Sequence, residues 1–129
     1  MIELPVNSAG ARRVRVNTGA GGGVFTFRTH YSYGQNQMWL LDIIDAGGNL
    51  LAGSLPLVPG SDNILKGQGD VLEGYQLYVF LEEGRDGGNP EALGVTLRLV
   101  WYNPGEENLY QTGDPLDTIG RDYEWQQPA

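Results

Sequence analysis

Apolar and polar positions alternate along much of this chain. In "VFTFRTHYSY" Phe25, Phe27, Thr29 and Tyr31 fall on one side and Val24, Thr26, Arg28 and His30 on the other, the period of two that marks a half-buried strand. Aromatic and β-branched residues, which suit a pleated surface, dominate it. Upstream, "RRVRVN", Arg12 to Asn17, alternates arginine with valine and predicts a strand with one charged face. "QMWLLDIID", Gln37 to Asp45, sets Trp39, Leu41 and Ile43 on one face and Leu40, Asp42 and Ile44 on the other, so both faces are apolar enough to be covered. "AGGN" is turn chemistry and "LLAGSLPLV" runs back, which predicts a hairpin from Trp39 to Val58. Pro56 has no amide proton to donate and belongs on an edge or at a bulge.

Two further strands are expected in "YQLYVFLEE", Tyr75 to Glu83, and "LGVTLRLVWYN", Leu93 to Asn103, with the turn formers of "GRDGGNPEA" between them. In the second, Val95, Leu97, Leu99 and Trp101 are expected on one face and Thr96, Arg98, Val100 and Tyr102 on the other. Six or seven strands without an amphipathic helix predict an all-β fold, a single antiparallel β-sandwich or a small β-barrel. After Asn103 the regular period stops. The chain therefore divides into a β domain over residues 1–103 and an acidic C-terminal arm over residues 104–129. The arm holds isolated apolar side chains at Leu109, Tyr110, Leu116, Ile119, Tyr123 and Trp125. It is read as extended and docked on a neighbouring subunit or on its own domain, with a solvated tail as the alternative.

Composition adds limits. A chain of 129 residues, 40% of them hydrophobic, matches one domain with a sizeable core. Twenty glycines and seven prolines exclude a mainly helical protein, because both residues cost stability inside helices. With no cysteine, disulfides and thiolate metal sites are ruled out. No apolar run approaches the ~18 residues of a membrane span, so the chain reads as soluble with no membrane partner. A net charge of -8 argues against nucleic-acid binding, which needs clustered Lys and Arg. The charge is unevenly placed: residues 1–36 carry Arg12, Arg13, Arg15 and Arg28 against Glu3, while residues 103–129 carry six acids against Arg121.

No catalytic constellation emerges. Asp42 and Asp45, three apart on a strand, point to opposite faces and cannot share a metal or a proton; Asp45 is expected to start a turn and Asp42 to face water. His30 is the one histidine, with no second imidazole to complete a metal pair. "DGGNPE", Asp86 to Glu91, lacks the alternating oxygen ligands of a calcium loop, and "TGAGGG" is followed by neither the lysine nor the helix of a phosphate site. Ser8, Ser32, Ser54 and Ser61 lie outside any nucleophile elbow. The expectation is a non-enzyme without cofactor or metal. Rings at Tyr78, Phe80, Tyr102, Tyr123 and Trp125 are expected to be available on an outer surface, which keeps a carbohydrate-binding, receptor-binding module open as an alternative. The candidate protein interface comprises Arg12, Arg13, Arg15, Leu40, Ile44, Tyr102, Leu109, Tyr110, Tyr123 and Trp125.

"WLLDIIDAGGNLLAGSLPLVPGSDNIL", the preceding "VFTFRTHY", the closing "GVTLRLVWY" and the opening "MIELPV" together resemble the small baseplate plug proteins of cyanophage-type contractile tails. The resemblance covers about residues 1–103 and rests on strands and turns, not on a catalytic signature. It implies a structural virion protein at the tail baseplate, made in the host cytoplasm. It implies contacts with tube, hub, spike or wedge subunits, several copies per virion, and closure of the distal end of the tube.

Overall fold

The alternating segments pair into two antiparallel sheets. In the computed structural model, which describes residues 1–19, 22–34, 37–60, 62–82 and 88–106, the strands are β1 (Ile2–Glu3), β2 (Arg13–Asn17), β3 (Val24–Ser32), β4 (Met38–Asp45), β5 (Leu50–Pro56), β6 (Gln76–Leu81) and β7 (Leu97–Tyr102), with a short 3-10 turn at Asp70–Leu72. One sheet has the order β2-β3-β4-β5 and the other β1-β7-β6. Each sheet keeps its own edges, which makes the fold a sandwich and not a closed barrel.

Side chains from both layers meet in the core. Phe25, Phe27, Trp39, Leu41 and Ile43 from the four-stranded sheet pack with Leu77, Val79, Leu97, Leu99 and Trp101 from the three-stranded one. The Trp101 ring is the centre of contact: Phe25, Phe27 and Tyr75 lie 5.3, 5.2 and 5.2 Å from it between centroids. Such tilted and edge-on pairs add about 0.5–1.5 kcal/mol each beyond area burial. The connection from β5 to β6 places Leu65 and Leu72 in the same core. It also lines the outer edge of β6, where the Ile64 amide donates to the Leu77 carbonyl at 3.0 Å and Asn63 Oδ1 accepts from the Leu77 amide at 2.9 Å.

A buried asparagine joins the two sheets. Asn103, just past β7, accepts from Trp101 Nε1 through its Oδ1 at 2.9 Å and donates from Nδ2 to the Thr18 carbonyl at the end of β2. Thr18 in turn holds the β2–β3 turn, exchanging Oγ1 hydrogen bonds of 2.8 Å with both the amide and the carbonyl of Gly23. Gly22 must lack a side chain here, because a Cβ would stand 2.2 Å from Thr18 Oγ1 and 2.4 Å from Asn103 Oδ1.

One strand is added and two expectations change. Ile2 and Glu3 form a strand paired with Trp101 and Val100; two residues are too short to display a period. Val95 does not join the inward face but is 60% exposed, because the amides of Val95, Thr96 and Leu97 all converge on the Ala92 carbonyl at 2.9–3.0 Å. That turn delays the strand until Leu97. Asp42 is 5% exposed and does not face open water, since it sits in a bulge. Leu41 pairs with Leu55 and Ile43 with Ala52, so Gly53 and Ser54 both stand opposite Asp42, and Ser54 takes a left-handed φ of 53°. Pro56 lies at the end of this bulged edge strand, as its missing amide proton requires.

Candidate protein interface

The outer face of the four-stranded sheet carries the basic residues. β2 is an edge strand whose Val14 and Val16 pack on the core, which turns Arg13 and Arg15 outward. Register sets Arg13 directly opposite Arg28 on β3, and Arg15 opposite Thr26. Like charges facing each other across strands oppose pairing. Arg28 is compensated from its other side: its Nε and Nη2 lie 2.9 and 2.8 Å from Asp42 Oδ2. Asp42 Oδ1 accepts the Ser54 amide at 2.8 Å, and His30 Nδ1 lies 3.8 Å from Oδ2. Burial alone would push the Asp42 carboxyl up, but the Ser54 amide and the Arg28 guanidinium outweigh it and hold it below the usual carboxylate range. Among the described residues Arg13 and Arg15 have no ion-pair partner.

Apolar residues continue this face toward β5. Leu40 is half-buried opposite Pro56, and Ile44 is buried opposite Leu50, which is 58% exposed. Arg12 stands apart from the strip: its guanidinium lies over the Trp39 ring, 5.9 Å from the centroid, and donates to the Ser8 carbonyl at 3.4 Å. Asp45 starts the β4–β5 turn as its sequence context predicts, its Oδ1 accepting the amides of Gly47 and Asn49 at 2.9 and 2.8 Å.

Tyr102 belongs to the opposite side of the molecule. With Tyr78, Phe80 and Val100 it forms a second cluster on the outer face of β6 and β7, and all four are buried. The expectation that Tyr78, Phe80 and Tyr102 offer an open platform is thereby corrected; the alternation placed them outside the sandwich core but could not show that this second face is covered. Leu109, Tyr110, Tyr123 and Trp125 lie outside the described residues, as does part of the "GRDGGNPEA" loop. The sequence singled out Arg13 and Arg15 but missed Arg28, whose relation to Arg13 depends on register.

Among the described residues no three His, Cys, Asp or Glu side chains are grouped to hold a metal, and no helix is long and apolar enough to cross a membrane. What fold and surface define is a small all-β sandwich whose four-stranded sheet has a basic, partly apolar outer face. The chain belongs to the family described as "Cyanophage baseplate Pam3 plug gp18", whose match spans residues 1–104. It is thus a structural protein of the phage tail baseplate, associated with other baseplate or tail proteins. No curated protein and no solved structure matches it significantly.

Proposed function

We propose that this protein plugs or caps the central hub or tube of a contractile tail through protein–protein contacts made by the outer face of its four-stranded sheet. The partners are tube, hub, spike or wedge subunits with an acidic surface, and several copies act per virion. The observation that supports this best is the juxtaposition of Arg13 with Arg28 on β2 and β3, beside exposed Leu50, in a chain of net charge -8. A strip that raises the energy of the free subunit is relieved when an opposing charge covers it. Apolar contact then holds the plug, and rearrangement of its neighbours on contraction withdraws that contact and releases it.

Charge reversal tests the proposal. Arg13→Glu with Arg15→Glu leaves the core untouched, since both side chains are exposed. Incorporation into co-expressed baseplates is expected to fall about tenfold at low ionic strength and less at high. Undiminished incorporation at every salt concentration would reject this face as the docking surface.

A further inference from the structure

We propose that the outer edge of β2 takes up an extended segment of a neighbouring baseplate protein as an added strand, one that carries acids at alternate positions. The proposal rests on the docking reading above and specifies how the partner is held. Two hydrogen bonds fix which way the β2 backbone faces: the Thr29 amide donates to the Arg12 carbonyl at 2.7 Å, and the Thr18 amide to the Gly23 carbonyl at 2.9 Å. Between these two points register pairs Val14 with Phe27 and Val16 with Phe25, and antiparallel pairs alternate between hydrogen-bonded and non-hydrogen-bonded. The amides and carbonyls of Val14 and Val16 therefore face β3. Those of Arg13, Arg15 and Asn17 point away from the sheet, along an edge that no strand among the described residues pairs. All five residues keep an unbroken register, so the outward groups form a regular ladder.

The other edges are blunted. β5 is interrupted by its bulge and by Pro56, β6 is lined by Asn63 and Ile64, and β1 is two residues long; each of these hinders strand addition. β2 has only its arginines, and they select by charge. A second copy paired antiparallel over the whole strand would set Arg15 opposite its own counterpart, and a shift of one residue would turn one strand's valines outward. Acids on an added strand instead meet Arg13 and Arg15, which have no ion-pair partner among the described residues. Its intervening positions fall beside Val14 and Val16, half-buried on the inner face, and suit apolar side chains. The partner segment is thus an extended stretch in which acids alternate with apolar residues along the length of β2.

Arg15→Pro and Arg15→Gln lose the same charge, but only the proline also loses the outward amide proton, at an edge position that tolerates it. In co-expressed baseplates the proline variant is expected to incorporate about tenfold less than the glutamine variant, with the same ratio at low and high ionic strength. Equal incorporation of the two, while Arg13→Glu with Arg15→Glu still lowers it, would overturn the edge proposal and leave the docking face standing. No effect of the charge reversal would reject both. Amide exchange in the native chain needs no variant. In the isolated full chain Val14 and Val16 are expected to exchange slowly and Arg13, Arg15 and Asn17 fast; in assembled baseplates these three are expected to slow about tenfold or more. Fast exchange after assembly would overturn the proposal. So would slow exchange in the isolated monomer, which would show the edge occupied by the chain itself, or slowing that follows self-association, which would assign it to a second copy.

Discussion

Arg28 and Asp42 face each other across β3 and β4, and the carboxylate that receives the guanidinium also holds the amide of Ser54 on the next strand. One side chain thus fixes three strands, and the bulge opposite it has its left-handed residue pinned in place. Asp42→Ala strands the Ser54 amide and leaves Arg28 without its counter-ion. The expected loss is about 2–3 kcal/mol of unfolding free energy by urea titration, with the core otherwise intact.

The same carboxylate sets an acid limit. Its pKa is lowered on folding, so it contributes stability fully above the ordinary carboxyl range, and the contribution disappears as pH falls through the lower, folded value. Urea midpoints of the native chain are expected to drop from about pH 4 downward. In Asp42→Asn the drop is expected to be shallower.

Asn103 offers a second test of a polar contact. Asn103→Ala removes the acceptor for Trp101 Nε1 and the donor to the Thr18 carbonyl in a buried site, with an expected cost of about 2–3 kcal/mol. Asn103→Asp keeps an acceptor for the indole but loses the donor, and amide exchange in the β2–β3 turn is expected to accelerate in both variants.

Gly94 holds the N-terminal segment against the second sheet. Its φ is +79°, and a Cβ would stand 2.5 Å from Asn7 Cβ and 2.6 Å from the Val6 carbonyl oxygen. Gly94→Ala is expected to cost about 2–4 kcal/mol. Exchange protection should fall first at Leu4 and Ser8, whose amides donate to Leu99 and Leu93.

Val95 and Leu97, neighbours on one face by simple alternation, are expected to behave oppositely. Val95→Ser should change stability by no more than ~0.5 kcal/mol, whereas Leu97→Ala, in the core, should cost about 2–5 kcal/mol. Thermal unfolding of the pair measures where the strand begins.

Alternation was enough to read β2, β3, β4 and β7 and to set Phe25 with Phe27, Trp39 with Leu41, and Leu99 with Trp101 on shared faces, because each of these strands has one face against the opposite sheet. What escaped it are features made by pairing. β1 is too short to carry a period and exists through Trp101 and Val100. The Asp42 bulge follows from two residues of β5 facing one of β4, and the Arg13–Arg28 pairing from register alone. The basic strip was half legible, its arginines visible as residue types but not as neighbours. The covered aromatic face of β6 and β7 was not legible, because alternation says which residues share a face and not what lies on it.

The join between the sheets at Asn103 has a chemical corollary. Trp101, Asn103 and Thr18 tie the end of one layer to the other in the way a crosslink would, yet with hydrogen bonds alone. A sulfur bridge depends on the thiol poise of its surroundings; this one does not. The subunit can be closed in a reducing medium and stay closed after transfer to an oxidising one, with no bond to form on the way and none to be cut.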